Sequence, residues 1–304
     1  MRHWVPAATA TSAPTHAAAG RDLIQMSISG RTRIVGIIGD PVAHSLSPAM
    51  HNAAFDALHL DFAYVPFHVR RDALRAAIAG IRALGVAGVN VTVPHKEPII
   101  PLLDSVSDTA RRVGAVNTII NRDGRLHGEN TDVIGILTAL REARVRLRGT
   151  QVVVVGAGGV ARAAVVALQD GGAAVVTVVN RTPRRARLLA KAFDIPTARV
   201  NRAGLSALQD EARLKTVDLV INATSLGLHD EPFLPLRFAA SPPHCLFFDL
   251  IYGRRTHFLI SAAQARRRTL DGSSMLVGQG AAAFTLWTGR RAPLAVMRAA
   301  LHSK

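Results

Sequence analysis

Gln151-Val152-Val153-Val154-Val155 runs straight into Gly156-Ala157-Gly158-Gly159-Val160-Ala161, and a chain carrying that passage has few ways to fold. Four β-branched residues in a row suit a strand buried on both faces, as in a parallel sheet covered by helices. The spacing G-x-G-x-x-A then fits the turn of a dinucleotide-binding βαβ unit. Gly156 permits the sharp bend, Gly158 lets backbone approach a pyrophosphate, and Ala161 allows the next helix to lie close on its strand. That helix is expected from Arg162 to Gln169.

The next strand, Ala174 to Val179, bears on the cofactor. An NAD-preferring site usually carries Asp or Glu at this strand's end to bond the ribose hydroxyls. Here the chain reads Asn180-Arg181-Thr182-Pro183-Arg184-Arg185. Arginines would hold a 2′-phosphate that a carboxylate would repel, so NADP is expected in preference to NAD. Arg187 fits a solvated helix face instead. Two further strands, Leu219 to Ser225 and Leu246 to Tyr252, should end along the same edge of the sheet.

The front half has its own alternating stretch, Gly88-Val89-Asn90-Val91-Thr92-Val93-Pro94-His95-Lys96. Val89, Val91 and Val93 at a spacing of two read as a buried strand, which Pro94 ends. Lys96 thus falls just past the carboxyl end of a strand, where open α/β sheets hold ligands. Of the 37 Lys and Arg residues, only Lys96, Lys191, Lys215 and Lys304 are lysines. A guanidinium cannot release its proton in a protein and an ammonium can, so a lysine kept here suggests proton transfer. A solvated surface charge is the plainer alternative.

Around that stretch, Arg33 to Gly39 reads as a buried strand ended by Asp40-Pro41. Ser47 and Pro48 are the expected N-cap and first residue of a helix to about Leu58, aiming the Ser45 and Ser47 hydroxyls above the sheet, although capping alone would explain Ser47. A strand over Asp61 to Phe67 and a helix over Arg71 to Ala83 follow. Next come a helix opened by Ser107-Asp108, short strands at Val116 to Ile120 and Arg125 to Gly128, and a helix from Asn130-Thr131-Asp132 to Ala143.

At 304 residues the chain can hold two domains, and 49% apolar residues suit buried cores. No apolar run reaches membrane-spanning length. The formal charge of +16 raises nucleic acid or an acidic membrane as partners, yet the arginines are dispersed, clustering only at residues 184–187 and 266–268. Aromatics are 5% of the chain and interleave neither cluster, which argues against a base-stacking surface. Cys245, the single cysteine, fits a reducing, cytoplasmic setting and a role as buried filler. Residues 1–30 have no apolar period and are expected to be a disordered lead without a secretory signal, with Met26 as an alternative start. The helices expected between Asp271 and Leu301 have no strand of their own to cover and should return to the first domain.

Seven passages in order closely resemble the shikimate dehydrogenase family: Ser45-Leu46-Ser47-Pro48, Asn90 to Lys96, Gly114-Ala115-Val116-Asn117-Thr118, Asn130-Thr131-Asp132, Gly156 to Gly159, Asn180-Arg181-Thr182 and Gly278-Gln279. The resemblance runs from about Arg33 to the end. It implies an α/β protein with two domains flanking a cleft. Residues 31–132 with 271–304 would be a substrate-binding and catalytic domain with a mostly parallel sheet, and 133–270 a Rossmann-type NADP-binding domain. The implied reaction is NADP-dependent reduction of 3-dehydroshikimate to shikimate, on the route to chorismate and the aromatic amino acids.

By motif, Ser45, Ser47, Thr92, Asn117 and Gln279 would hold the substrate's carboxylate and hydroxyls, with Tyr252 beside it. Lys96 and Asp132 would be the acid–base pair. The cofactor would rest on Gly156, Ala157, Gly158, Gly159, Val160 and Ala161 and on Asn180, Arg181, Thr182, Arg184 and Arg185. Leu250 and Gly272 would lie near the nicotinamide, and Asp108 would be a peripheral contact. A homodimer is compatible with the sequence.

The chain departs from the family in places. Tyr252-Gly253-Arg254 replaces Tyr-Asn-Pro, Ser273-Ser274 stands where glycine is frequent, and Val133 follows Asp132 where glycine is usual. The nearest alternative is an NAD-using quinate/shikimate dehydrogenase, which Asn180-Arg181-Thr182 disfavours. A non-catalytic NADPH-binding regulator would be expected to lack Lys96 or Asp132.

Overall fold

The computed structural model describes residues 28–193 and 199–302, so most of the lead expected over residues 1–30, Met26 included, lies outside the described residues. The first unit runs β1 (Arg33–Gly39), α1 (Ser47–Ala57), β2 (Phe62–His68), α2 (Leu74–Ala83), β3 (Gly88–Val91), β4 (Ser105–Val106), α3 (Asp108–Val113), β5 (Thr118–Arg122) and β6 (Arg125–Glu129). Its sheet has the order β2-β1-β3-β5-β6-β4. β1 is parallel to β2 and β3, β4 is parallel to β6, and β5 is antiparallel to both its neighbours.

Helix α4 (Asp132–Glu142) leads into the second unit: β7 (Gln151–Val155), α5 (Gly159–Asp170), β8 (Val175–Val179), α6 (Pro183–Phe193), β9 (Arg199–Ala203), α7 (Glu211–Leu214), β10 (Leu219–Asn222), β11 (Leu246–Asp249), α8 (His257–Gln264) and β12 (Arg268–Leu270). Its six strands are all parallel in the order β12-β11-β10-β7-β8-β9, a doubly wound sheet whose order reverses between β7 and β10. The valine run now has its reason. Val152 and Val154 face one core with Ala163 and Ala167, Val153 and Val155 face the other with Phe247 and Phe258, and none is more than 2% exposed.

The chain closes with α9 (Ser273–Thr288) and α10 (Leu294–Ala300), which return to the first sheet as expected. Phe284, Trp287 and Met297 share a core with Val35, Ile37, Phe55 and Tyr64, and Trp287 Nε1 donates to the Ile119 carbonyl at 3.0 Å. Position 88 admits only glycine here, since a Cβ would stand 2.2 Å from Trp287 Nε1 and 2.4 Å from that carbonyl.

Several local expectations change. β3 stops at Val91 and Val93 is 70% exposed, because the chain leaves the sheet before the proline and not at it. Ser47 does not cap α1: Leu46 holds the cap position with no side-chain hydrogen bond, and Ser45 Oγ accepts from the Ser47 N–H at 3.3 Å. Gly278-Gln279-Gly280 lies in the middle of α9. There the close crossing with α4 leaves a Cβ at Gly278 only 3.2 Å from Gly135 Cα. β11 ends at Asp249, three residues short of Tyr252. The edge strands β9 and β12 were not anticipated, because Arg199-Val200-Asn201-Arg202 and Arg268-Thr269 show polar residues where interior strands show valine.

His51, on α1, is fully buried and stacks on Tyr64 with ring centroids 4.5 Å apart. Among the described residues neither ring nitrogen has a hydrogen-bond partner, and burial lowers its pKa from 6.5 to about 3. A base with a depressed folded pKa contributes stability that is present above the unfolded value and lost as pH falls through the folded one. His51→Leu is therefore expected to flatten the loss of stability over that acid range, by on the order of several kcal/mol at its lower end. Urea unfolding at about pH 7 and about pH 4 measures this, and an unchanged pH slope would refute it.

Candidate active site

The turn after β3 is built to hold Lys96. Alternation sends Val89 and Val91 to one core and leaves Asn90 on the opposite face. The Thr92 N–H then donates to the Ile38 carbonyl at 2.9 Å, and the His95 N–H to the Thr92 carbonyl at 2.9 Å. His95 is fully buried, and its Nε2 donates to the Val69 carbonyl at 2.6 Å, tying the turn to the end of β2. Beyond it the Lys96 carbonyl accepts from the Val116 N–H at 2.8 Å, so the lysine's backbone is fixed on both sides.

Lys96 Nζ donates to Asp132 Oδ2 at 2.5 Å, with the two side chains 17% and 5% exposed. Asp132 opens α4, where the helix's positive end favours a carboxylate. Asn130 Oδ1 accepts from the Asp132 N–H at 3.1 Å, which turns the chain into the helix. The other carboxylate oxygen of Asp132 accepts from Asn117 Nδ2 at 2.8 Å, leaving neither oxygen idle.

Behind this pair lies a buried polar array. Asn117 Oδ1 accepts from the Thr131 N–H at 2.7 Å and from Thr118 Oγ1 at 3.1 Å, and Thr131 Oγ1 reaches Gln279 Oε1 at 3.5 Å. Asn90 Nδ2 donates to Thr118 Oγ1 at 3.1 Å and its Oδ1 accepts from the Tyr64 hydroxyl at 2.8 Å. The Tyr64 hydroxyl also meets Ser47, while burial pushes its pKa well above 10.0. The array thus joins Asn117, Asp132, Gln279 and Ser47, all expected from the sequence, through Tyr64, Asn90, Thr118 and Thr131, which were not. The available signal was polarity: an asparagine between two core valines has to find partners.

Tyr252 crosses from the second unit to touch Ser45 and the Leu46 backbone, and burial raises its pKa above 10.0 while the Ser45 contact opposes the rise. Thr92 is half-buried at the mouth of the same turn.

On the other side, Gly156 has φ +124°, and a Cβ there would stand 2.6 Å from the Ala223 carbonyl. At Gly158 a Cβ would meet nothing within 4 Å, and no side chain caps α5, so the first-turn amides stand open toward a pyrophosphate. A Cβ at Gly159 would lie 3.3 Å from Lys96 Cβ, so the glycine turn and the lysine abut. Ala161 is fully buried, with Ala157 and Val160 packed on the same core.

At the end of β8, Asn180 Nδ2 donates to the Thr182 carbonyl at 3.1 Å. Arg181, Thr182, Arg184 and Arg185 are exposed, and no guanidinium of the three is ion-paired among the described residues. Gly272 must be glycine, since a Cβ would be 2.4 Å from the Leu250 carbonyl, and its N–H donates to the Ile251 carbonyl at 2.9 Å. Ser273 is accommodated by Asp271, which accepts from both its N–H and its hydroxyl. Asp108 is an exposed first-turn residue of α3, and no hydrogen bond or ion pair links it to the glycine turn. The residues present therefore fit a phosphorylated dinucleotide.

A doubly wound sheet whose nucleotide turn rests against a lysine–carboxylate pair borne by a second α/β unit defines a dinucleotide-dependent oxidoreductase of two domains. Residues 37–119 match the model for the shikimate dehydrogenase substrate binding domain. Residues 138–232 match that for shikimate / quinate 5-dehydrogenase, and residues 272–302 that for the shikimate 5'-dehydrogenase C-terminal domain. A shikimate dehydrogenase (NADP(+)) of Citrifermentans bemidjiense is 45% identical over 288 residues, spanning 92% of this chain and 98% of that protein. The crystal structure of the Aquifex aeolicus shikimate dehydrogenase superposes with a TM-score of 0.84 at 36% identity, covering 91% of this chain and all of that one. That of the Thermus thermophilus enzyme, in complex with NADP(H) and shikimate, gives 0.79 at 38% identity over 89% and 98%. The chain belongs to the shikimate dehydrogenase family.

Proposed function

We propose that this protein is an NADP-dependent shikimate dehydrogenase, interconverting 3-dehydroshikimate and shikimate on the route to chorismate and the aromatic amino acids. The observation that carries the reading is the 2.5 Å Lys96–Asp132 pair set directly against the glycine turn. Residues 31–132 with 271–304 form the substrate and catalytic domain, and residues 133–270 the cofactor domain. A cytoplasmic setting belongs to this reading, supported by the single cysteine, Cys245, buried as a free thiol. Among the described residues no helix is long and apolar enough to cross a membrane.

NADPH, when bound, supplies the hydride to the ring carbon that carries the ketone. Lys96 gives its proton to the oxygen of that carbon as the alkoxide develops, and takes it back in the reverse direction. Asp132 orients the ammonium, accepts from Asn117 and offers its oxygens to a neighbouring substrate hydroxyl. Ser45, Ser47, Thr92, Asn117, Gln279 and Tyr252 bind the carboxylate and remaining hydroxyls, rejecting rings that leave these polar groups unpaired. Gly156 to Ala161 hold the pyrophosphate with backbone amides. Asn180, Arg181, Thr182, Arg184 and Arg185 hold the ribose phosphate, Leu250 and Gly272 border the nicotinamide, and Asp108 lies at the periphery.

Steady-state assays with shikimate and quinate, each with NADP and NAD, test the reading. Turnover is expected with shikimate and NADP. Preference for quinate and NAD would replace this function with the catabolic one, and activity with neither would point to a binding protein. Arg181→Ala is expected to raise KM for NADP about tenfold while KM for NAD changes little, because only the former loses a charge-assisted bond to phosphate. Equal effects on both would remove Arg181 from phosphate recognition.

A further inference from the structure

We propose that Asp249 is a positioning residue: its carboxylate clamps the loops after β10 and β11 into one platform, which sets Leu250 and Tyr252 against the nicotinamide and the substrate. This rests on the dehydrogenase reading above. Asp249 ends β11 and is fully buried. Its Oδ1 accepts from Asn222 Nδ2 at 3.0 Å and from the Ile251 N–H at 3.1 Å, and its Oδ2 accepts from the Thr256 hydroxyl. Thr256 is itself the N-cap of α8, so a single carboxylate fixes the segment from its first residue to its last.

The clamp reaches the neighbouring loop through Asn222, which pairs with Asp249 in the sheet register. Asn222 Oδ1 accepts from the Thr224 N–H at 3.1 Å and its hydroxyl at 2.7 Å, and Nδ2 also donates to the Leu226 carbonyl at 3.2 Å. The Gly253-Arg254 departure adds a second tie on the outside. Arg254 Nη1 donates to the carbonyls of Gly227, at 3.2 Å, and Leu228. The platform touches both halves of the site: the Ala223 carbonyl bounds Gly156, and Tyr252 bears on Ser45.

Among the described residues no cation pairs with Asp249. Burial pushes its pKa up to about 6 despite the Thr256, Ile251 and Asn222 donors, and Asp271 adds to the rise. An unpaired buried carboxylate is a poor device for stability alone, whereas three donors converging on it fix two loops in one geometry.

Asp249→Asn preserves size but places an amide donor among donors. NADPH affinity, by fluorescence titration, is expected to stay within about threefold, while kcat falls about tenfold or more. The primary isotope effect on kcat with C4-deuterated NADPH is expected to rise as hydride transfer becomes limiting. Should that variant not fold, Arg254→Ala, at an exposed position, is expected to move kcat and the isotope effect the same way by about two- to fivefold in kcat. Variants that melt earlier yet keep wild-type kcat and isotope effect per folded molecule would overturn the proposal alone. An intact protein without shikimate:NADP activity would overturn the proposal and the functional reading together.

Discussion

Lys96→Ala is expected to lower turnover by a factor on the order of a hundred or more, while NADPH binding stays within about threefold of the intact protein. The variant removes the ammonium that would pass a proton to the developing alkoxide, while His95 on the same turn stays engaged with the Val69 carbonyl. It keeps the Cβ that rests 3.3 Å from the position of a Gly159 Cβ, so the nucleotide turn retains its support. Lys96→Arg is expected to fail nearly as badly, because it restores the charge but not a releasable proton. Kinetics in both directions with a parallel fluorescence titration check this, and retained turnover in either variant takes Lys96 out of proton transfer.

Asp132→Ala is expected to reduce turnover by a similar factor and, in addition, to lower stability by about 3 kcal/mol. Truncation leaves the Lys96 ammonium, now 2.5 Å from one oxygen, without its carboxylate, and takes from the Asn117 amide its 2.8 Å acceptor, leaving it only Thr131 Oγ1 at 3.0 Å. If the pair acts as a unit, the Lys96→Ala, Asp132→Ala double variant is no slower than either single one and more stable than Asp132→Ala. Turnover and urea unfolding across the four proteins measure this. Losses that simply add would mean that the two side chains do not share a task.

Much of the second sheet was legible because its physics is local. A valine run followed by glycines at fixed spacing leaves one fold, and the arginines after β8 needed only electrostatics. The first sheet was legible in outline, but its site was less so. Lys96 and Asp132 are far apart in sequence, and their meeting depends on His95 anchoring the turn and Asn130 bending the chain into α4. The inner layer of Tyr64, Asn90, Thr118 and Thr131 stayed hidden because each residue taken alone passes for ordinary polarity within a strand or turn. Ser47 shows the converse: its sequence neighbourhood says helix cap, whereas the fold turns its hydroxyl toward Tyr64. β9 and β12 escaped because edge strands with a solvated side carry no apolar period.

The return of α9 and α10 to the first sheet has a bearing on synthesis. As the chain leaves the ribosome, the face carrying Val35, Ile37, Tyr64 and Ile120 emerges early, while Ala283, Phe284, Trp287 and Met297, which cover it, emerge last. The second sheet is continuous in sequence, and all its strands, β7 to β12, precede the tail, so it can close before the final helices are free. The nascent polypeptide therefore finishes its middle before its beginning, and that waiting apolar face is the surface a chaperone would shelter until the final helices clear the exit tunnel.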